Sequence, residues 1–152
     1  ADLIRRRLMG VHMRLYATQS YLDENGVPET MDDMSKHRLI CQNTTSAQVS
    51  AGAMLVKELL THDIHSMLTV NNYFGVLQAV RNNLGIGVLP DYITQVSDSL
   101  VRVLPSIESN EVPVFLAYPE ELRPSKRIAA FRDFVMDEIA ILRKKQKEEA
   151  VS

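Results

Sequence analysis

Six side chains in two short stretches have the chemistry to hold a small polar ligand: Gln42, Asn43 and Thr44, then Asn71, Asn72 and Tyr73. Each stretch follows an apolar run that reads as a strand, one ending at Cys41 and the other at Val70. Amides and hydroxyls both donate and accept hydrogen bonds. In open α/β sheets, ligands gather beyond the carboxyl ends of parallel strands, where helix N-termini offer unpaired N–H groups. A carboxylate on a small metabolite would gain roughly 0.3 to 1 kcal/mol from such a terminus, plus side-chain hydrogen bonds. The plainer role for the same residues is structural, with Asn71 capping its own helix and the threonines solvated.

Other candidates are weaker. Cys41 is the single cysteine, which excludes an internal disulfide framework and a multi-cysteine zinc site. In an apolar strand a thiol behaves as a small hydrophobe with a raised pKa. The neighbouring His37 and Arg38 leave a redox-sensing role open, and that role requires an accessible, acidic thiol. His62, Asp63 and His65 have metal-ligand residue types but lie in a turn without a matching second set, so no metal is expected. Gly85 and Gly87 precede a strand instead of opening a helix, which fails the dinucleotide pattern. Neither a GxSxG elbow nor a pair of active-site carboxylates is present, so no enzyme chemistry and no cofactor are expected.

The elements that must position these residues follow from periodicity. Val11, Met13, Leu15 and Ala17 alternate with polar or amphipathic neighbours, predicting a strand over 11–17. Thr18 caps a helix to about Asn25, with Gly26 as its stop, and Thr30 with Asp33 marks a second capped start. His37–Gln42 reads as a strand, 43–50 as a loop and 51–61 as a helix. Residues 68–92, LTVNNYFGVLQAVRNNLGIGVLPDY, read as strand, helix, strand. Here Phe74, Leu77, Val80 and Leu84 form the apolar face and Gly85 takes the left-handed position after the helix. The two strands of this unit should run parallel. Strands over 100–104 and 112–118 flank a polar loop that starts at Pro105, and a helix capped by Ser125 buries Ile128, Phe131, Val135, Ile139 and Leu142 before fraying beyond Arg143.

The 17 Lys and Arg balance 19 Asp and Glu for a net charge of -2, so the chain has no overall footprint for wrapping nucleic acid. The runs Arg5–Arg7 and Arg143–Lys147 read as solvated charge. No apolar stretch approaches the ~18 residues of a membrane span, and the cysteine usage fits a cytoplasmic setting.

The order of these segments resembles the regulatory domain of LysR-type transcriptional regulators. The resemblance is carried by ADLIRRRL at 1–8, LYATQSYLDENGVPETMDDMSKHRLI at 15–40, LTVNNYFGVLQAVRNNLGIGVLP, LVRVLP at 100–105, VFLAYP at 114–119 and SKRIAAFRDFV at 125–135. It implies an α/β fold like that of type 2 periplasmic binding proteins, with mixed sheets and flanking helices. Residues of about 11–110 would form the second subdomain, and about 112–142 the strand and helix that return to the first. It further implies a truncated chain. The N-terminal winged helix-turn-helix and the opening part of the first subdomain would precede Ala1, leaving that subdomain incomplete. The implied function is a sensor that closes on a small-molecule effector, with Gln42, Asn43, Thr44, Asn71, Asn72 and Tyr73 at the cleft. DNA would be contacted only through the missing domain, and the full-length protein would be a dimer or tetramer. The alternatives are redox sensing through Cys41, a solute-binding protein of related fold, and a small enzyme using His62, Asp63 and His65.

Overall fold

The computed structural model describes residues 2–43, 51–95, 97 and 99–151. The described chain divides into two compact units, one formed by Ala1–Val11 with Val112–Ser152, and the other by His12–Glu111.

The larger unit is a five-stranded sheet with helices on both faces. Its strands are β2 (Met13–Thr18), β3 (Arg38–Gln42), β4 (Ser66–Val70), β5 (Ile86–Pro90) and β6 (Leu100–Glu108), in the order β4-β3-β5-β2-β6. β3 pairs parallel with β4 and with β5, while β2 pairs antiparallel with β5 and β6. The strand-helix-strand unit is therefore parallel as expected, with β3 inserted between its two strands.

Alternating strand residues feed two cores, because successive side chains point to opposite faces of a sheet. On one face Met13, Leu15, Ala17, Leu39, Cys41, Ile86 and Val88 pack with α1 (Gln19–Asn25) and α2 (Ala51–Leu59). On the other, Tyr16, Ile40 and Leu89 pack under Val76, Leu77, Ala79 and Val80 of α3 (Tyr73–Arg81). Leu15, Leu39, Ile40, Ile86 and Leu89 have no exposed surface, and each contributes on the order of 1.5–3 kcal/mol of burial.

Local signals explain the boundaries. The Thr18 side chain accepts from Tyr21 N–H to start α1, and Gly26 at φ 89° stops it. Thr30 and Asp33 form a reciprocal capping box at the 3-10 helix Met31–Lys36.

Three expectations are corrected here. Phe74 is 69% and Leu84 43% exposed; the helix is rotated so that the 76, 77, 79, 80 side meets the sheet. The left-handed residue after α3 is Asn83 at φ 62°, and its carboxamide accepts from the Thr18 hydroxyl. Asparagine tolerates that conformation through local polar bonding. Gly85 is required for a different reason, because a Cβ there would lie 2.3 Å from the Arg38 carbonyl oxygen. Residues from Pro105 continue β6 to Glu108, with Leu104 at φ 49° and a register break that leaves Arg14 opposite Glu108 and Leu15 opposite Val103.

The smaller unit holds β1 (Leu3–Val11) and β7 (Val112–Pro119), paired antiparallel, with α4 (Lys126–Val151). The run Arg5–Arg7, read as solvated charge, lies exposed within a strand. Its three consecutive arginines hide the alternation, and Arg5 lies over the Phe115 ring at 5.8 Å. Helix α4 starts where the Ser125 hydroxyl accepts from Ile128 N–H at 3.4 Å. It runs past Arg143 to Val151 instead of fraying, and Phe131 is 56% exposed instead of buried.

One buried polar pair ties α1 to the strand edge: Tyr21 Oη lies 2.7 Å from His37 Nδ1, and His37 is 4% exposed. Burial holds the imidazole below its ordinary pKa. The unfolded chain therefore takes a proton that the buried ring resists, so stability is complete above the ordinary histidine value and declines as pH falls below it. Urea unfolding of the wild type should show this decline between about pH 7 and 5, and His37→Gln should flatten it. Gly85→Ala should lower the unfolding free energy by about 1–3 kcal/mol through backbone collision. Gly26→Ala should cost about 1–2 kcal/mol from left-handed strain alone, since nothing lies within 4 Å of its Cβ position.

Candidate ligand-binding site

Because β3, β4 and β5 run parallel, their carboxyl ends share one edge of the sheet. Gln42 ends β3 directly opposite Val70, which ends β4. Asn43 N–H continues the ladder to the Val70 carbonyl at 2.6 Å. The Gln42 Nε2 donates to the Asn71 carbonyl at 3.3 Å, and the Asn72 Nδ2 to the Asn71 Oδ1 at 3.1 Å. Tyr73 opens α3 and is half-buried. With Cys41, Gln42, Gly52, Ala53, Val56 and Val88 it lines a cavity of about 20 Å³, large enough for one water. Burial, and then Tyr92 nearby, push the Tyr73 phenol up. The phenol is thus a neutral hydrogen-bonding group at the mouth of the cavity.

Five of the six residues singled out in the sequence meet at this corner; Thr44 lies outside the described residues. Their roles differ from expectation in one respect. The cap of α3 is Asn72, whose Oδ1 accepts from Gly75 N–H at 2.8 Å, and not Asn71. Asn71 is exposed and its side chain is not used by the helix. The corner therefore combines a structural amide at 72 with the Gln42 amide, bonded to the Asn71 carbonyl, and with the exposed residues Asn43 and Asn71.

Cys41 lies beneath this corner, 3% exposed, and burial pushes its thiol up. Both properties run against the accessible, acidic thiol that redox sensing requires. No group of three or more potential metal ligands occurs among the described residues. His62 Nδ1 instead pairs with Asp32 at 2.8 Å, and His65 Nε2 with Asp63 at 3.2 Å. No described helix is long and apolar enough to cross a membrane.

The carboxyl end of β5 belongs to the same edge and was missed. Asp91 and Tyr92 follow Pro90 there, and Asp91 is 11% exposed with one carboxylate oxygen buried and unbonded. Its other oxygen lies 4.0 Å from Arg14. The strand-end rule applied to β3 and β4 covers this position as well, since β5 was expected to run parallel to β4. A larger hollow of about 530 Å³ opens between α2 and the end of β6, lined by Met54, Lys57, Glu58, Glu108 and Asn110 among others. None of the six residues lines it. The polar corner, with its several amides, and the hollow are thus separate places on the larger unit.

A family model described as the LysR substrate binding domain matches residues 1–140. The chain is 25% identical over 122 residues to an uncharacterized HTH-type transcriptional regulator of Haemophilus influenzae, a match covering 78% of this chain and 42% of that protein. It is 26% identical over 141 residues to the probable HTH-type transcriptional regulator LtrA of Klebsiella pneumoniae, covering 89% and 46%. The chain spans about half the length of these curated relatives. Among solved structures, the regulatory domain of CrgA, a LysR-type transcriptional regulator from Neisseria meningitidis, has a TM-score of 0.71 at 19% identity, covering 91% of this chain and 70% of that one. This likeness shows the shared fold, the periplasmic-binding-protein-like architecture of LysR regulatory domains.

The division of labour between adjacent asparagines is testable. Asn72→Ala should lower the unfolding free energy by about 1 kcal/mol through the lost cap, and Asn71→Ala should stay within about 0.5 kcal/mol of wild type. Chemical denaturation monitored by circular dichroism reads both, and equal effects would reject the assignment.

Proposed function

This chain belongs to the family of LysR substrate-binding domains, and from that premise we propose that it is the effector-sensing part of a bacterial transcriptional regulator. The relatives are described as HTH-type regulators. DNA contact in the whole protein is accordingly assigned to a helix-turn-helix domain outside this chain, with the protein working in the cytoplasm as a dimer or tetramer. The chain's role is binding and conformational bias, not catalysis.

The observation that carries this reading is the convergence of Gln42, Asn71 and Asn72 at the ends of two parallel strands. Outward amides beside a helix N-terminus suit a small anion such as a carboxylate. Asn43, Thr44 and Tyr73 complete the proposed contact set, with Asp91 and Tyr92 on the same edge. An effector acts by binding one state more tightly than another, and each tenfold change in the ratio needs about 1.4 kcal/mol of differential affinity.

A thermal-shift panel of mono- and dicarboxylates tests this. At 100-fold excess over Kd a ligand stabilises by about 2.7 kcal/mol, or about 5–10 °C for a chain of this size. The shift should persist in Cys41→Ser and fall away in Asn71→Ala, whose fold is otherwise undisturbed. Failure of every carboxylate to raise the midpoint, or an undiminished shift in the Asn71→Ala, Gln42→Ala double variant, would reject the site. A shift produced by peroxide alone, and abolished by Cys41→Ser, would transfer the input to the thiol.

A further inference from the structure

The small cavity at the polar corner differs in chemistry from the amides beside it, and it lies wholly within the larger unit. Gly52, Val56 and Val88 give it apolar walls, and its polar atoms come from Cys41, Gln42 and Tyr73. The Gln42 Nε2 is already turned to the Asn71 carbonyl. Tyr73 is half-buried, yet no described residue hydrogen-bonds its Oη. That oxygen sits against the wall, since a Cβ at residue 52 would lie 3.2 Å from it. A glycine there leaves the phenol its room. Burial pushes up both the Tyr73 phenol and the Cys41 thiol, so the cavity presents a neutral hydroxyl, able to donate or accept, and no charge.

A space of about 20 Å³ accepts one water-sized group. A carboxylate is larger than that, and its charge would go unpaired against these walls. A methyl group comes nearer in size but leaves the phenol without a partner, a loss relative to the water it meets in the open site. A hydroxyl meets both demands, because it is a single oxygen and both donates and accepts. Gln42 and Tyr73 belong to this lining and also to the proposed contact set at the corner. The hydroxyl and the carboxylate of a ligand that uses both places must therefore lie close together on its carbon chain.

We propose that the effector is an α-hydroxy acid, with its carboxylate held at the amide corner and its hydroxyl in the cavity, bonded to Tyr73 Oη. This inference rests on the amide corner being the effector site, and it adds the feature that selects among carboxylates. A site with a polar group waiting for a hydroxyl discriminates against the analogue lacking it far more strongly than an apolar pocket discriminates by size. Tyr73 is thus the specificity-determining residue, and Gly52 acts through it by leaving the phenol oxygen in place.

Calorimetric titration of the 152-residue chain at neutral pH with matched pairs of acids, lactate against propionate and malate against succinate, tests the selection. Within each pair the hydroxy acid should bind about five- to a hundredfold more tightly in at least one enantiomer. That preference, read as the ratio of the two affinities, should vanish in Tyr73→Phe. It should vanish as well in Val56→Ile, which adds a methylene group to the cavity wall, while the plain acids keep their wild-type affinity and the unfolding midpoint shows the variant folded. Equal affinities within each pair in wild type, or a preference that survives Tyr73→Phe, overturn this inference and leave the amide corner standing. If no acid of either kind binds, the amide corner itself is rejected and this inference with it.

Discussion

Strand β3 has neighbours on both edges and cores on both faces, and the rest of the larger unit is arranged around satisfying it. Its backbone groups pair with β4 from Arg38 to Gln42 and with β5 at Leu39 and Ile40, as buried N–H and C=O groups require. Leu39 and Cys41 point into one core and Ile40 into the other. The close approach that this needs is bought at Gly85, where the Arg38 carbonyl occupies the space of a side chain, and at Gly87, where a Cβ would lie 2.4 Å from Val80. Once β3 lies between two parallel neighbours, the ends of all three strands must share an edge, and the residues that follow them must meet there.

That dependence explains why the site was more legible than the details of the elements that build it. Polar residues after two apolar runs could be grouped without knowing sheet order, because the strand-end rule needs only that the strands be parallel. The same rule covers Asp91 and Tyr92, since β5 was expected to run parallel to β4; they were passed over because Pro90 and Asp91 read as the close of a unit. Sequence also could not distinguish Asn71 from Asn72 as the cap: the two are equivalent in propensity, and the choice follows from where Val70 must stop to pair with Gln42.

Caps and stops fared well where one residue type has one physical use. Thr18, Gly26, Thr30 and Asp33 act by bonds within four residues of themselves, so the surrounding fold does not alter them. Errors arose where tertiary contact chooses between local options. Gly85 and Asn83 can each follow a helix, and it is the Arg38 backbone, 47 residues earlier in the sequence, that reserves position 85 for glycine. Strand β1 escaped because Arg5, Arg6 and Arg7 break the period of two, and its partner β7 is remote in sequence, with Leu3 opposite Pro119 and Val11 opposite Val112. The apolar stripe of α3 was displaced for a related reason: 74, 77, 80 and 84 satisfy helical spacing as well as 76, 77, 79 and 80, and only the position of the sheet decides between them.

The placement of Cys41 bears on how a signal could enter. Its thiol shares the first core with Leu39, Val88 and the α2 residues Leu55 and Leu59, directly beneath Gln42. The adjoining cavity of about 20 Å³ has room for one water. Oxidation there would have to follow local opening of α2 or β3, so its rate would track the opening free energy and not the affinity of a formed site. Binding at the amides above requires no such opening: Asn71 is exposed, and Gln42 is already held against its carbonyl. A ligand can engage that corner in the folded chain and act through differential affinity, whereas the thiol can respond only at the expense of the core that fixes β3. On physical grounds a ligand at the proposed amide corner would leave the fold intact, and oxidation of Cys41 would not.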